Sequence, residues 1–188
     1  RTGLPPRVAS WGEYQRATGA LIELGVIEDT SKIWWDLRPS SRFPTLESRI
    51  CDVTPRIEDT LTLAALTQAT LRMLWRLARR NQRWRIYDSF LVGENRWRAQ
   101  RYGTAEGMID FGAREIIPFR DVGEDWIGLI AEDAGVLRSS DEVERVLDMI
   151  EGGTSTDRQR AVMAASPDRD TGLRRVVASL IEEFHEGL

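Results

Sequence analysis

The sequence has few of the residues on which nucleophilic and zinc chemistry depend. Its 188 residues include one cysteine, Cys51, and one histidine, His185. A single cysteine cannot form an intramolecular disulfide, so we expect a reducing, cytoplasmic setting and a small, buried Cys51 side chain. No CxxC or HExxH pattern occurs. We therefore set aside Ser–His, Cys–His and histidine–zinc chemistries.

Long apolar runs and an excess of positive charge are also missing. No run approaches the length that spans a membrane and no signal-peptide core is present, so we expect no membrane partner. The 30 acidic residues outnumber the 26 basic ones, which argues against nucleic acid as a partner. The arginine-rich stretch 76–85 would suit an RNA-binding helical domain, but it coincides with a predicted helix end, where cations are favoured.

The first third of the chain predicts a helix followed by a hairpin. Ser10 and Glu13 form a capping-box pattern, so a helix is expected to run from there to Gly25. Residues 32–38 and 44–52 are typical of two antiparallel strands. The turn between them is expected at residues 39–42.

The next helix carries the strongest pattern in the sequence. Thr54 is expected to cap it, with Pro55 in its first turn, and the helix should end among Arg76, Arg79 and Arg80. Its broad apolar arc predicts a central helix that covers one face of a sheet. The residues that recur at helical spacing are Ile57, Leu61, Ala64, Leu71, Trp75 and Ala78, and the arc is widened by Leu63, Leu66, Met73, Leu74 and Leu77.

The remaining elements complete an α+β prediction. A helix is expected at 87–102, a hairpin at 106–119 with its turn at Gly112, and helices in three or four pieces after Asp121. We expect one domain over residues 1–188, with sheet and core helices in 1–120 and a helical region in 121–188. The helical region is expected to break near Gly135, Gly152–Gly153 and Pro167.

Alternation along the first two strands gathers charged residues on one face. Asp36 and Arg38 share a face of the first strand, and Glu47 and Arg49 share a face of the second. If these faces coincide, the sheet carries a mixed patch of acids and bases. A solvated sheet face with cross-strand ion pairs is the simpler explanation. Trp34 and Trp35 fall on opposite faces. We expect both to be core, and the alternative is that one of them edges a pocket.

Three motifs carry a resemblance to a known family. The patterns WWDxRPS, TLExRxCD and NRWxAxRYG, together with the opening RTGLP, resemble the bacterial carboxylate–amine ligases related to glutamate–cysteine ligase type 2. The resemblance covers nearly the whole chain and is densest over residues 33–103. That family is similar to glutamine synthetase in fold and mechanism. The resemblance therefore implies an antiparallel sheet portion of a glutamine-synthetase-like fold, packed by helices.

The resemblance implies roles for the charged patch. ATP and Mg²⁺ (or Mn²⁺) are the expected cofactors, with Glu47 as a metal ligand and Arg49 and Arg38 as catalytic residues. Glutamate and arginine are suitable residue types for this reaction. Carboxylates bind hard divalent cations, and the guanidinium group of arginine binds phosphates and carboxylates. Amino acids, with glutamate or a relative as acyl donor, are the expected substrates. Asp36 is assigned to nucleotide or substrate binding.

A second group of candidates lies on the helix at 87–102. Asn95, Arg98 and Arg101 are expected to contact nucleotide or substrate because the resemblance places this helix beside the site. The alternative is an ordinary Glu94–Arg98 pair with Trp97 packed inward.

The family pattern also includes an N-terminal strand with clustered glutamates, which this sequence lacks. We therefore expect the chain to be the C-terminal half of a larger catalytic domain, inactive alone. Its unpaired sheet edge should associate with the missing half or with a second copy, unless the sheet is repacked. The predicted function is ATP-dependent carboxylate–amine ligation through an acyl phosphate. The alternative is a noncatalytic interaction or regulatory module that keeps the ligase scaffold.

Overall fold

The computed structural model describes residues 2–186, so Arg1, the first residue of the RTGLP motif, lies outside the described part. The chain divides into two units, residues 1–52 and 53–188, and each is described by itself. Helices and short strands occur together, as the predicted α+β class requires. Among the described helices, none is both long and apolar enough to cross a membrane.

Over residues 2–52, the first unit contains one helix and four very short strands. They are β1 (Thr2–Gly3), α1 (Trp11–Glu23), β2 (Trp34–Trp35), β3 (Leu37–Pro39) and β4 (Leu46–Ser48), with a 3-10 turn at Thr30–Lys32. β1 pairs with β2 in parallel, and β3 pairs with β4 antiparallel. Its most buried apolar side chains are Tyr14, Ile27 and Ile33.

Helix α1 begins as its capping residues predict. Ser10 is the N-cap, and its hydroxyl accepts from the backbone N–H of Glu13 at 3.2 Å. The Glu13 carboxylate in turn accepts from the N–H of Ala9 at 2.6 Å, one residue before the position that a capping box prescribes. The helix ends at Glu23, and Gly25 has a φ of 68°.

The predicted hairpin is confirmed only in part. β3 and β4 pair antiparallel as expected, but the expected strand 32–38 is interrupted at Asp36, and its first part pairs with β1. The alternation is also broken there: Asp36 and Arg38 are buried, whereas Trp34 is 58% exposed. The exposed side chains of the hairpin include Leu37 and Leu46.

The second unit is mainly helical. It contains α2 (Ile57–Arg79), α3 (Ser89–Tyr102), the antiparallel strands β5 (Met108–Asp110) and β6 (Glu115–Ile117), and then α4 (Phe119–Leu137), α5 (Ser140–Glu144), α6 (Val146–Gly152), α7 (Ser155–Ala164) and α8 (Arg169–His185). Its buried core joins α2, α4 and α5. The core residues are Ala65, Ala69, Met73, Ile130, Ala134 and Val143.

Helix α2 differs from its prediction at its start and in its buried face. It begins at Ile57 with Arg56 as N-cap, and the hydroxyl of Thr54 lies 2.7 Å from that of Thr60 instead of capping the helix. The predicted apolar stripe is largely exposed. The buried stripe contains Thr62, Ala65, Ala69 and Met73, and it packs against α4, α5 and α6. Within the described residues, the buried side of α2 therefore packs against helices, and not against a sheet face as the broad apolar arc predicted.

Later helix boundaries follow the predicted breaks with one exception. α6 ends at Gly152, and α8 begins after Pro167 with Asp168 as N-cap. Gly135 does not break α4, which continues to Leu137 and ends where Arg138 adopts a left-handed φ of 58°. Up to residue 186, the helical region therefore has five pieces, not three or four.

Candidate functional site

The β3–β4 register brings Arg38 and Glu47 together. They are directly paired across the two strands. The Nε–H of Arg38 donates to Oε2 of Glu47 at 2.9 Å, and Nη2 of Arg38 lies 2.8 Å from the same oxygen. Arg38 is only 7% exposed. The cross-strand ion pair of the simpler explanation is thus present, but its arginine is not solvated.

Arg38 also ties together the segment before the hairpin. Its Nη1 donates to the carbonyl oxygens of Ser31 and Ile33 at 2.6 and 2.5 Å, with a longer contact of 3.4 Å to that of Thr30. Each nitrogen of the guanidinium therefore has a partner inside the unit. This arrangement fixes Arg38 and, through it, the Glu47 carboxylate.

Arg49 lies on the other side of Glu47 and is more open. Its Nη1 is 3.5 Å from Oε2 of Glu47, and its side chain is 38% exposed. Its backbone N–H donates to the carbonyl of Asp36 at 2.7 Å, which anchors the residue just beyond the end of β4. Glu47 and Arg49 therefore point to the same side, as strand alternation predicted.

Trp34 completes this cluster, although it was not among the predicted site residues. The Arg49 guanidinium carbon lies 5.4 Å from the centroid of the Trp34 ring, within the range of a cation–π contact. The Trp34–Trp35 doublet was the available signal, because adjacent strand residues face opposite ways. Trp34 proves to be the outward-facing member.

The charge state of Glu47 is set by its arginine neighbours. The hydrogen bond from Arg38 is the main cause that lowers the pKa of Glu47, and the charges of Arg38 and Arg49 act in the same direction. Glu47 is therefore an anion at neutral pH. Cys51, near the same strand, is exposed and not buried as expected, and partial desolvation raises the pKa of its thiol.

The other predicted residues lie in the second unit, where Asn95 and Arg98 hold the β5–β6 hairpin. The Asn95 amide donates to the carbonyl of Ile109 at 3.0 Å and accepts from its N–H at 2.8 Å. Arg98 donates to the carbonyls of Glu106 and Gly107 at 2.7 and 3.3 Å. The Asn95 and Arg98 side chains thus fasten the hairpin to α3.

Arg101 and Trp97 occupy the exposed part of α3. Arg101 lies 5.8 Å from the centroid of the Tyr102 ring. Trp97 is 49% exposed and meets Tyr102 edge-on at 5.6 Å, so it does not pack inward as the alternative explanation required. Arg101 is the exposed member of the three candidates on this helix.

Glu47 is the residue that the sequence analysis expected to bind a metal ion. Within residues 2–186, no three His, Cys, Asp or Glu side chains are grouped closely enough to hold a metal ion. An ionised carboxylate is a suitable ligand for Mg²⁺. Glu47 fits such an ion as one ligand of several.

Comparison with known proteins assigns the sequence to a class of ligases. A family model described as glutamate–cysteine ligase family 2 matches residues 1–179. The chain belongs to this family.

Several curated relatives agree, and each is named "Putative glutamate--cysteine ligase 2". The chain is 56% identical to one from Paracoccus denitrificans (strain Pd 1222) over 192 residues, covering 100% of this chain and 51% of the relative. It is 58% identical over 190 residues to one from Ruegeria pomeroyi, covering 100% and 49%. A Sorangium cellulosum relative is 44% identical, with 100% and 49% coverage. The chain therefore spans about half the length of the curated relatives it matches.

Proposed function

We propose that this chain contributes to an ATP-dependent carboxylate–amine ligase with a glutamine-synthetase-like fold. The observation that carries the proposal is the juxtaposition of Glu47 and Arg49, 3.5 Å apart, in a member of glutamate–cysteine ligase family 2. The acyl donor is an amino acid such as glutamate, and the acceptor is an amine. Because the relatives are about twice as long, we take the complete ligase to include polypeptide equivalent to their unmatched portion.

The proposed reaction has two steps. A carboxylate oxygen of the donor bonds to the γ-phosphorus of ATP as the bond to the bridging oxygen breaks, which releases ADP and leaves an acyl phosphate. The amine nitrogen then bonds to the acyl carbon and loses a proton, and phosphate departs. Catalysis of the first step depends mainly on position and on neutralising the charge of the transferred group.

Three residues of the first unit supply these functions. Glu47 is held ionised and would be one ligand of Mg²⁺ or Mn²⁺, which neutralises phosphate charge when bound. Arg49, half exposed beside it, contacts the phosphate or the donor carboxylate. The buried hydrogen bonds of Arg38 support a role in positioning Glu47, rather than the direct catalytic contact expected from sequence.

Among the remaining candidates, Arg101 keeps the proposed role of binding nucleotide or substrate, because its side chain is exposed. Asn95 and Arg98 act through the hairpin that they hold, since their polar atoms contact its backbone. Asp36 is buried, and its carbonyl fixes the backbone of Arg49.

ADP release tests the proposal. We define the complete ligase as this chain combined with the portion of the Paracoccus relative outside the matched region. Addition of Mg²⁺, ATP, glutamate and candidate amines should release ADP only when the amino acid is present. A Glu47→Gln variant should lose at least 100-fold in rate, and Glu28→Gln, which alters an exposed Glu28–Lys32 pair, should not.

The same assay separates the ligase from the noncatalytic alternative. A complete ligase that neither binds Mg-ATP nor releases ADP would favour an interaction or regulatory module. Full turnover by Glu47→Gln would refute the metal role of Glu47 while leaving the family assignment intact.

A further inference from the structure

Trp34 contacts Arg49 although the two residues belong to different segments of the chain. Trp34 lies in β2, and Arg49 follows the end of β4. The guanidinium carbon of Arg49 lies over the Trp34 ring, 5.4 Å from its centroid. Exposure alone does not distinguish Trp34, because Trp11 and Trp75 are 58% and 59% exposed beside 58% for Trp34. The contact with a proposed site residue does distinguish it.

The other arginine–ring contacts among residues 2–186 follow from local chain geometry. In each of them the two residues are neighbours in the chain or lie one helical turn apart. They are Arg79 with Trp75, Arg85 with Trp84, Arg98 with Tyr102 and Arg101 with Tyr102. Arg49 and Trp34, in contrast, meet because the fold of the first unit brings two separate segments together.

Backbone hydrogen bonds hold Trp34 and Arg49 beside each other. The pairing of β2 with β1 places Trp34 opposite Thr2. The N–H of Asp36 donates to the carbonyl of Gly3 at 2.8 Å, and the carbonyl of Asp36 accepts from the N–H of Arg49 at 2.7 Å. Asp36 therefore links the segment that carries the ring to the residue that carries the guanidinium. The contact does not depend on the two side chains alone.

The ring contact holds Arg49 without occupying its hydrogen-bonding groups. The 3.5 Å between Nη1 of Arg49 and Oε2 of Glu47 is longer than the roughly 2.7–2.9 Å of a charge-assisted hydrogen bond. The close contacts of Glu47 come from Arg38 instead. A tryptophan ring attracts a cation but supplies no oxygen acceptor. The N–H donors of Arg49 therefore remain available to a phosphate or a carboxylate.

We propose that Trp34 is a positioning residue of the ligase, which keeps the Arg49 guanidinium beside Glu47 and open to the anionic reactant. This inference rests on the proposed function, in which Arg49 contacts phosphate or the donor carboxylate. Without the ring, the Arg49 side chain can rotate into solvent or close on Glu47 as a full ion pair. Either movement takes the cation away from the charge that it has to neutralise.

Nuclear magnetic resonance of the unmodified chain and its variants tests the contact. Protons above an aromatic ring resonate upfield, so the side-chain signals of Arg49 should lie upfield of ordinary arginine values. Trp34→Leu should abolish this shift, and Trp34→Phe should retain part of it. Because the Trp34 side chain is exposed, both variants should fold, which circular dichroism verifies. Arg49 signals that are unchanged in Trp34→Leu overturn the proposal.

Trp75→Leu is the matched control for the spectra. Trp75 has nearly the same exposure as Trp34, 59% against 58%, and Arg79 lies over its ring at 5.8 Å. Trp75→Leu should therefore change the signals of Arg79 and leave those of Arg49 unchanged. A change of the Arg49 signals that is as large in Trp75→Leu as in Trp34→Leu would not come from the Trp34 ring and would overturn the proposal.

The rate of ADP release by the complete ligase tests whether the contact matters to the reaction. Trp34→Leu should lower kcat/KM about fivefold, which corresponds to the strength of an exposed cation–π contact. Trp34→Phe keeps an aromatic face and should stay within about twofold of the unmodified rate. In an Arg49→Gln background, Trp34→Leu should cause no further loss, because the cation on which it acts is absent.

Two results of the rate measurement contradict a role through Arg49. One is an equal loss from Trp34→Leu in the unmodified and Arg49→Gln backgrounds, which assigns Trp34 a merely structural role. The other is a Trp34→Phe variant as slow as Trp34→Leu, and this comparison decides where Arg49→Gln leaves too little rate to measure.

The same assay separates this proposal from the proposed function. If the unmodified complete ligase releases no ADP with any amino acid, the reaction fails and the positioning role fails with it. If Trp34→Leu releases ADP at the unmodified rate, the positioning role alone fails and the reaction stands. Loss of both the upfield shift of Arg49 and about four fifths of kcat/KM in Trp34→Leu is the result that the proposal predicts.

Discussion

Arg38 lies directly across from Glu47 in the β3–β4 hairpin, and two of its nitrogens lie within 3 Å of one carboxylate oxygen, at 2.9 and 2.8 Å. The third nitrogen binds backbone carbonyls of the preceding segment. A single side chain therefore joins the strand pair to the turn before it. In a pair of three-residue strands, which has little stability of its own, such a link is structural as well as electrostatic.

Arg38→Lys should loosen the hairpin even though it keeps the charge. A lysine has no planar fork and cannot bind Glu47 and the carbonyls of Ser31 and Ile33 together. We expect a loss of about 2 kcal/mol in local stability. Faster amide hydrogen exchange over residues 30–49 measures this loss. Arg42→Lys, in the exposed turn, is the control and should leave exchange unchanged.

Asp133→Asn should strongly destabilise the second unit. The Asp133 side chain is fully buried and lies between Arg72 and Arg76, both on α2. The substitution removes the negative charge and one acceptor oxygen, which leaves two arginines without their buried counter-ion and costs about 3–5 kcal/mol. Urea unfolding measures the change. Glu132→Gln, at an exposed carboxylate 3.4 Å from Arg76, should cost less than about 1 kcal/mol.

Acid should remove the stabilisation that the Asp133 carboxylate gives to the second unit. The hydrogen bond from Arg76 is the main cause that lowers the pKa of Asp133, and Arg72 adds to it. The contribution is therefore complete above the unfolded carboxyl pKa of about 3.9 and is lost as pH falls through the lower folded value. Unfolding of Asp133→Asn should depend less on pH below 4 than unfolding of the unmodified chain. Parallel pH curves would contradict the assignment.

Asn95→Ala should release the β5–β6 hairpin from α3. The substitution removes both hydrogen bonds to the backbone of Ile109 and should cost about 1–2 kcal/mol locally. The exchange rate of the Ile109 amide is the measurement. Gln100→Ala removes only the exposed contact with Arg96 and serves as the control. An Ile109 amide that stays equally protected would show that Asn95 does not hold the hairpin.

Gly107→Ala should distort the start of the same hairpin. Gly107 has a φ of 68°, and a Cβ there would collide with the carbonyl oxygen of Ile117. Because a left-handed conformation and a backbone clash act together, we expect a loss of more than about 1 kcal/mol. Thermal unfolding tests this against Gly128→Ala in α4, where a Cβ meets nothing within 4 Å. Gly128→Ala should stabilise slightly.

The sequence predicted those helix ends and turns that are determined by residues adjacent in the chain. Ser10 caps α1 through the Glu13 N–H, Gly103 ends α3 with a φ of 61°, and the β5–β6 turn forms around Gly112. In each case neighbouring residues supply the deciding hydrogen bond or backbone freedom. Alternation likewise placed Glu47 and Arg49 on one side of their strand.

Features that depend on packing were not predictable in this way. The apolar residues of α2 extend around most of the helix, so periodicity alone did not distinguish the face against α4 and α5 from the exposed side. The interruption of the first strand at Asp36 results from pairing with the distant Thr2–Gly3 segment. The burial of Arg38 depends on carbonyls five to eight residues away, which no charge pattern reveals.

Trapping of the acyl phosphate tests the role of Glu47 most directly. Hydroxylamine attacks an acyl phosphate to give a hydroxamate and releases phosphate, so hydroxamate formation from glutamate and ATP requires the first step and replaces the natural amine in the second. The complete ligase and its Glu28→Gln variant should form hydroxamate at equal rates, and Glu47→Gln should be at least 100-fold slower. Hydroxamate formation by Glu47→Gln at the unmodified rate would contradict the account.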